Sequence, residues 1–343
     1  MAFNGKHLIA GQWVATNNSN DNGQSNNNNI SRFRPWYPAQ NREGDAEFFN
    51  ASTDQVNAVA EAAHQAFPEY RTKSTDDRAA FLNAIADHIL QLGDELLETT
   101  QKETGYNLVR ITGERGRTVN QLRAFAQSIS AADASSTRSD IVEAGDATRE
   151  PLPKPATRLT RLALGPVAVF GASNFPYAFS TLGGDTASAL AAGCPVIVKA
   201  HPAHPGTSEL MARAILSAIE ETGMPAGVFA QLQSNTPEIS HALVKHPRIK
   251  AVGFTGSQKV GDLLQQSINQ REEHIPFYGA LGSTNPQFIF ADKAQQDGAV
   301  LAEQLCQSMQ MGNGQFCTSP GVWIVPEDAT DFLDGCQNYL AKQ

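Results

Sequence analysis

The spacing of apolar positions changes near residue 165. From Thr53 to about Ala134, apolar residues recur every three or four positions, which predicts amphipathic packing helices. From Gly165 onward, short apolar runs alternate with helical segments, so we predict an α/β fold with a parallel, doubly wound sheet, a scaffold that binds nucleotides at the carboxyl ends of its strands. The predicted strands are Val167–Gly171, Val196–Ala200, Val228–Leu232 and Lys250–Phe254, and the helices begin near Asp185, Gly206, Pro237 and Gln258.

The segments outside these two regions have distinct patterns. His7–Val14 is strand-like, and the polar tract Asn17–Asn29 is expected to be a loop because it cannot bury a core. After a Pro-rich break, the alternation of Thr157–Leu164 predicts a half-exposed strand able to pair with another chain. The last stretch, Pro326–Gln343, predicts an amphipathic helix. Its inward residues are expected to be Phe332, Leu333, Cys336 and Leu340.

Composition narrows the classes of function. The 343 residues are 41% hydrophobic and 18% charged, with a net charge of −9 and a pI near 5.4. An acidic chain without a basic stripe argues against nucleic-acid binding. We see neither a signal peptide nor a membrane-spanning segment and therefore expect a cytoplasmic protein. Four cysteines without a CxxC pair or His-rich spacing give little support to disulfides or to a metal site.

Three segments, in order and at suitable separations, resemble the aldehyde dehydrogenase superfamily: Gly165–Pro176, Gly253–Ser257 and Gly312–Thr318. Two further strings, Gly183–Gly193 and Lys199–Gly206, resemble one branch of it, the 2-oxoglutarate semialdehyde (2,5-dioxovalerate) dehydrogenases and related NADP-linked bacterial enzymes. The resemblance implies a doubly wound cofactor domain followed by an incomplete α/β catalytic domain.

This resemblance divides the chain into four parts. Residues 1–134 are expected to be the N-terminal helical part of the cofactor domain, and 135–160 an oligomerisation hairpin. Residues 161–283 are expected to be the Rossmann-like cofactor domain, and 284–343 the start of the catalytic domain.

Cys317 is the predicted nucleophile. Oxidising an aldehyde without a metal needs a group that forms a tetrahedral adduct able to expel hydride, and a thiolate does this well. A buried structural cysteine is the plainer interpretation, but the setting Gly-Gln-Phe-Cys-Thr after an apolar helix favours catalysis. Cys194, Cys306 and Cys336 are predicted to be core residues.

Asn174 is the second predicted catalytic residue. The family implies that its side-chain amide and the backbone N–H of Cys317 stabilise the oxyanion, and loss of one such donor typically costs about 2.7–4 kcal/mol. Taken alone, an asparagine before Phe-Pro is more simply a turn residue.

The cofactor is expected to be NADP or NAD. Lys199 resembles the lysine that contacts the adenosine ribose, although a solvated lysine at a strand end is the plainer interpretation. NAD-preferring members often carry a glutamate where this chain has Pro202, so a 2′-phosphate is admissible. His201 and His204 either face that phosphate or belong to a plain loop.

Three further positions are assigned to the cofactor. Gly256 and Ser257 precede a predicted helix whose free N–H groups suit a pyrophosphate. Gly282 would lie near the nicotinamide by resemblance. The chain contains neither a Gly-x-Gly-x-x-Gly nor a Walker motif, so the common nucleotide fingerprints alone would miss this site.

The sequence departs from the family pattern at Ala280. A glutamate normally stands there and activates the water that hydrolyses the thioester, whereas alanine cannot accept a proton. General-base assistance is worth about 10²–10⁴-fold, so we expect slow deacylation unless another group substitutes. Glu272, Glu273 and His274 are nearby in sequence.

The second departure is length, because Cys317 is followed only by residues 318–343. Family members continue for well over a hundred residues, so we expect a C-terminally truncated chain. The resemblance implies a homo-oligomer, and the strand that completes its oligomerisation sheet belongs to the missing part, as does a second cofactor-binding glutamate.

Three functional hypotheses remain. The leading one is oxidation of a small aldehyde acid, such as 2-oxoglutarate semialdehyde, to the carboxylate. The second passes the acyl group from Cys317 to coenzyme A. The third is a catalytically inert remnant that binds nucleotide or partner chains.

Overall fold

The computed structural model describes residues 3–16, 31–130, 141–159 and 161–342, and the side chains in these ranges except those of residues 141 and 142. The predicted Asn17–Asn29 loop therefore lies outside the described residues. Two compact units are present, Met1–Gly279 and Ala280–Gln343. The fourfold division predicted from the sequence stays a prediction.

The first unit contains thirteen of the described strands and eight of the described α-helices. Its first half comprises β1 (His7–Ile9), β2 (Gln12–Val14), β3 (Arg32–Phe33), β4 (Trp36–Tyr37), β5 (Arg42–Glu43), β6 (Phe48–Phe49), α1 (Thr53–Tyr70), α2 (Thr75–Gln91), α3 (Gly93–Thr104), α4 (Leu108–Ser130), β7 (Ile141–Glu143) and β8 (Thr157–Leu159). Its second half comprises β9 (Val167–Phe170), α5 (Gly184–Ala191), β10 (Val196–Lys199), α6 (Pro205–Thr222), β11 (Phe229–Leu232), α7 (Pro237–Lys245), β12 (Ala251–Thr255), α8 (Gln258–Asn269) and β13 (Phe277–Ala280).

A seven-stranded sheet has the order β13-β12-β9-β10-β11-β1-β2. β9 pairs in parallel with both β10 and β12, and β10 pairs in parallel with β11. The chain thus builds outward from β9 on one side and then crosses to β12 on the other, as in doubly wound folds. The predicted sheet, its four strands and its four helices are confirmed to within one residue at each predicted boundary.

These strands formed as predicted because apolar runs without alternation suit strands covered on both faces. Every residue of β9, β10 and β11 is buried. The predicted packing helices also form, and the first two of them, α1 and α2, begin with capping boxes at Ser52 and Ser74. One continuous core joins Phe81 and Ile85 of α2 to the sheet.

Two predicted single strands differ in the structure. His7–Val14 is a hairpin of β1 and β2, because Ala10 and Gly11 both have positive φ angles, 47° and 76°, which turn the chain. Among the described residues of the Thr157–Leu164 range, Thr157–Leu159 alone forms a strand, and it pairs antiparallel with β7. All three of its residues are exposed, Leu159 at 58%, so the alternation of exposed and buried positions that the sequence predicted is not found in this strand.

The second unit is a small α/β layer. It comprises β14 (Pro286–Phe288), α9 (Ala291–Gln310), β15 (Val322–Ile324) and α10 (Thr330–Leu340), with β14 parallel to β15. The rings of Trp323 and Phe332 meet edge to face at 5.8 Å in its core.

The predicted C-terminal helix forms, but two of its predicted inward residues are wrong. Phe332 is buried, whereas Leu333 and Leu340 are 49% and 55% exposed. Gly335 lies against Ala299 and Ala302 of α9, which fixes the packed side of the helix. Leu333 and Leu340 are seven residues apart, and both lie roughly 100° around the helix from Phe332. They therefore lie beside the side of the helix that packs against α9.

None of the described helices combines the length and apolarity needed to cross a membrane.

Candidate active site

A cleft of about 420 Å³ opens at the carboxyl ends of the parallel strands in the first unit. It lies beside the point where the strand order reverses, between β9 and β12. Loops that follow β9, β10, β11 and β12 all reach it, because parallel strands end at the same edge of a sheet. The predicted residues that line it are Asn174, Lys199, Pro202, Gly256 and Ser257.

Lys199 is the last residue of β10, and its side chain is buried while still lining the cleft. Burial lowers the pKa of Lys199 to about 8. Among the described residues, no carboxylate lies within ion-pair distance of its ammonium group. A buried ammonium without an acidic partner is well suited to a hydroxyl or phosphate of a ligand.

The two histidines after Lys199 have different surroundings. His204 is fully buried, and its ring nitrogens lie 2.8 Å from the carbonyl oxygen of Ala172 and 3.3 Å from the Ser208 hydroxyl. The hypothesis that His204 faces a phosphate is therefore wrong, because both nitrogens are used inside the fold. His201 lines the cleft beside Pro202, and its Nδ1 accepts a hydrogen bond from the N–H of Ala203.

Gly256 and Ser257 connect β12 to α8 at the rim of the cleft. The Ser257 hydroxyl accepts a 3.3 Å hydrogen bond from the N–H of Val260 and thereby caps the helix. The N–H groups of Gln258 and Lys259 belong to the first turn, where no intrahelical acceptor exists. This helix start is the kind of anion-binding terminus that the sequence predicted.

The loop that carries Asn174 is held by two residues of α4 that were not predicted from the sequence. Arg110 donates a 3.2 Å hydrogen bond to the backbone carbonyl of Asn174. Glu114 is buried, pairs with Arg110, and accepts 2.9 Å hydrogen bonds from the N–H groups of Tyr177 and Ala178. The spacing of Arg110 and Glu114 could have indicated this ion pair, since residues four apart share one helix face.

Cys317 lies in the second unit, in the loop after the 3₁₀ turn Met311–Gly314, and its side chain is exposed. Gly312 has a φ of 60°, and a Cβ there would lie 2.2 Å from the Phe316 ring. Both the positive φ and the close approach of the Phe316 ring require glycine at position 312. The sequence Gly-Asn-Gly-Gln-Phe thus shapes the turn that presents Cys317.

Asn285 holds this loop from the other side. Its side-chain amide donates hydrogen bonds of 2.7 Å to the carbonyl of Cys317 and 3.0 Å to that of Ser319. Asn285 itself has a positive φ of 45°. Asn285 was not predicted from the sequence, although an asparagine before Pro286 is a recognisable turn signal.

The remaining predicted residues lie near the boundary of the units. Ala280 is the exposed last residue of β13, and Gly282 is exposed in the segment after it. Glu273 pairs with Lys250, which immediately precedes β12, and it precedes the start of β13 by four residues. Since β13 alone extends about 10 Å, Glu272, Glu273 and His274 lie at the wrong end of the strand to replace a base at Ala280.

The cysteine predictions are confirmed in two cases. Cys194 and Cys306 are 3% and 1% exposed, whereas Cys336 is only partly buried. Among the described residues, no cluster of three or more His, Cys, Asp or Glu side chains is arranged to hold a metal ion.

The aldehyde dehydrogenase family model matches residues 25–342, which is most of the sequence. The chain belongs to the aldehyde dehydrogenase family. This membership confirms the resemblance that the three segments and the cleft indicated.

Two aldehyde dehydrogenases of known name are similar in sequence. An alpha-ketoglutaric semialdehyde dehydrogenase 2 of Azospirillum brasilense is 50% identical over 343 residues, covering 100% of this chain and 62% of the relative. An alpha-ketoglutaric semialdehyde dehydrogenase of Acinetobacter baylyi is 41% identical over 321 residues, covering 94% of this chain and 58% of the relative. The chain therefore spans about three fifths of their length.

The fold also agrees with solved aldehyde dehydrogenases. The structure of an NAD-dependent benzaldehyde dehydrogenase from Corynebacterium glutamicum superposes with a TM-score of 0.79 at 26% identity, covering 98% of this chain and 67% of that one. The aldehyde dehydrogenase fold predicted from the sequence is confirmed.

Proposed function

We propose that the protein to which this chain corresponds oxidises 2-oxoglutarate semialdehyde to 2-oxoglutarate with NADP or NAD. The observation that carries the proposal is the 50% identity, across the whole chain, with a relative named alpha-ketoglutaric semialdehyde dehydrogenase 2. The second named relative supports the same substrate class.

The cleft fits a dinucleotide. Lys199 offers a buried ammonium without an acidic partner among the described residues, and the start of α8 offers unpaired N–H groups for a pyrophosphate. Because Pro202 carries no carboxylate that would repel a 2′-phosphate, both NADP and NAD are accepted. Gly282 is assigned to the nicotinamide end. When bound, the nicotinamide accepts a hydride from the reacting carbon.

Cys317 and Asn174 carry the first chemical step in this proposal. The thiolate of Cys317 attacks the aldehyde carbon, and the carbonyl oxygen becomes an oxyanion in a thiohemiacetal. The side-chain amide of Asn174 and the N–H of Cys317 donate to that oxyanion. Loss of hydride from the same carbon restores a carbonyl and leaves a thioester on Cys317.

Ala280 affects the second step. Water must attack the thioester and lose a proton, and Ala280 supplies no group to take that proton. Nor do Glu272, Glu273 or His274, since they lie at the opposite end of β13. We therefore infer a fast first half-reaction and a slow hydrolysis.

The same residue favours a second candidate. A thioester that water attacks slowly is available to another thiol, so coenzyme A would take the acyl group and release Cys317 as a thiolate. The alternative of an inert remnant predicts nucleotide binding without any adduct on Cys317.

One experiment separates these three candidate functions. The chain is mixed with NADP or NAD and 2-oxoglutarate semialdehyde, and reduced cofactor is followed at 340 nm, a wavelength set by the nicotinamide, with and without coenzyme A. A burst stoichiometric with enzyme supports the proposal, and acceleration by coenzyme A supports the second candidate. Nucleotide binding without a burst, and without an adduct on Cys317 by mass spectrometry, leaves only the remnant.

A further inference from the structure

A cavity of about 220 Å³, separate from the cleft that holds Lys199, lies beside α5 on one face of the parallel sheet. Its wall is mostly apolar, and Asp185, in the first turn of α5, is the one carboxylate among the described residues that line it. Gly253 of β12 and Tyr278 of β13 also line this cavity. Because a carboxylate is costly to place among apolar side chains, Asp185 is a candidate for a functional group.

Gly253 allows Asp185 to lie directly against the sheet. A Cβ at position 253 would lie 3.2 Å from the Cβ, the Cγ and one carboxylate oxygen of Asp185, closer than side chains normally approach. The hydrogen of glycine leaves this space to the carboxyl group. The carboxylate is therefore held in front of β12, at the edge of the cavity.

The carboxylate of Asp185 is not engaged by the fold. Among the described residues, none donates a hydrogen bond to it or lies within ion-pair distance of it. Ser188, in the same helix, donates its hydroxyl to the backbone carbonyl of Asp185 instead. Burial raises the pKa of Asp185, so its ionised form is a stronger proton acceptor than a solvated aspartate.

The strand that ends at Ala280 runs beside this carboxylate. The N–H of Val252 donates a 3.0 Å hydrogen bond to the carbonyl of Pro276, and β13 then continues next to β12. Tyr278 and Ala280 are two residues apart in β13, so their side chains lie on the same face of the strand. That is the face on which Tyr278 borders the cavity of Asp185. Two strand residues span about 7 Å, a distance that a carboxyl side chain and one bridging water can cover.

We propose that Asp185 is the base that activates water for hydrolysis of the thioester in this chain, in place of the group missing at Ala280. This inference rests on the proposed function, which forms the thioester on Cys317 and hydrolyses it beside position 280. Because Asp185 is set back from that position, hydrolysis through it is slower than hydrolysis with a base at position 280. A slow but measurable turnover follows.

The step is a simple acyl transfer to water. Asp185 takes one proton from the water while the water oxygen bonds to the thioester carbon. The C–S bond then breaks, and Cys317 leaves as a thiolate. The product carboxylic acid and the protonated Asp185 each release a proton to solvent, which returns the chain to its starting state.

The test measures deacylation directly, without cofactor or aldehyde. p-Nitrophenyl acetate acetylates the Cys317 thiolate, and the absorbance of the released nitrophenolate reports acylation. Mass spectrometry of the peptide that contains Cys317 then follows the loss of the acetyl group. The forms compared are wild type, Asp185→Asn, Ala280→Glu, the double variant and the control Asp94→Asn. Asp94 is a matched control because it is an exposed aspartate in the first turn of another helix, α3.

We expect Asp185→Asn to slow deacylation by about 100-fold, the lower end of general-base assistance, and to leave acylation unchanged. Asp94→Asn should change neither rate. The double variant should deacylate about as fast as Ala280→Glu alone, because the glutamate introduced at position 280 takes the proton. Hydroxylamine cleaves a thioester without a base, so it should remove the acetyl group equally fast from every form.

Deacylation at the wild-type rate in Asp185→Asn would overturn the proposal. Slowing of acylation and of hydroxylamine cleavage to the same extent as deacylation would also overturn it, because that result would indicate damage to the fold. A selective loss of deacylation supports Asp185 as the base even if wild type does not oxidise 2-oxoglutarate semialdehyde, a result that would contradict the proposed substrate alone. Wild type that is not acetylated at Cys317 would contradict both, because both depend on that nucleophile.

Discussion

Arg110 of α4 donates a 3.2 Å hydrogen bond to the backbone carbonyl of Asn174, the residue proposed to stabilise the oxyanion. The same arginine pairs with Glu114, whose carboxylate receives the N–H groups of Tyr177 and Ala178. One buried ion pair therefore holds the loop on both sides of the Phe-Pro step. The position of Asn174 depends on a helix more than sixty residues earlier in the chain.

The first prediction concerns this ion pair. Glu114→Ala removes the acceptor for two backbone N–H groups and leaves Arg110 without its carboxylate. Breaking such a buried pair is expected to cost about 3–5 kcal/mol of unfolding free energy. Urea denaturation measures the change, with the exposed Glu98→Ala on α3 as the control. An unchanged midpoint in Glu114→Ala would show that the loop does not depend on this carboxylate.

The second prediction concerns thiol reactivity. Cys317 is exposed, whereas Cys194 and Cys306 are 3% and 1% exposed, so limiting iodoacetamide should label Cys317 first. Peptide mass spectrometry measures the order of labelling. Cys317→Ser should abolish the burst of reduced cofactor, and the matched Cys336→Ser should keep it. Faster labelling of Cys336 than of Cys317 would count against the proposed nucleophile.

The third prediction concerns Ala280. If slow hydrolysis follows from the missing base, Ala280→Glu should raise the steady-state rate after the burst by about 10²–10⁴-fold. Ala280→Gln is the control, because it adds similar bulk without a group that accepts the proton. Steady-state absorbance after the burst gives the rate. Equal rates in the two variants would mean that the missing base at Ala280 does not limit deacylation.

The fourth prediction follows from the burial of Lys199. Because its pKa is lowered to about 8, the ammonium loses its charge as the pH rises through that value. Affinity for 2′,5′-ADP should be highest near pH 7, because the phosphates gain protons below about pH 6, and it should fall between about pH 8 and 10 as Lys199 loses its proton. Lys199→Met should bind more weakly and show no such fall. Calorimetric titrations at several pH values make the comparison, and a wild-type affinity that is flat to pH 10 would contradict it.

The same shift has a consequence for stability. The folded state holds the proton of Lys199 less tightly than the unfolded state does, so between about pH 8 and 10.5 the unfolded chain binds more protons. The contribution of Lys199 to stability therefore rises with pH in this window. In Lys199→Met this dependence should be absent from the denaturation midpoints.

The sequence by itself determined the α/β class, the order of the parallel strands along the chain, the helix starts and the family. These features depend on local signals: apolar runs, capping residues and the strings around Asn174, Gly256 and Cys317. It also predicted that a catalytic base is missing at Ala280, and this prediction depends on residue identity alone.

Only the tertiary structure decided what surrounds these residues. It placed His204 in the core, put Glu273 at the wrong end of β13, and brought Arg110 and Glu114 to the Asn174 loop. It also placed Leu333 and Leu340 on the exposed side of their helix. The sequence could not predict this, because helical periodicity indicates an apolar face but does not determine which side of the helix is packed. Contacts between residues distant in the chain follow from how the layers pack, and no local pattern carries that information.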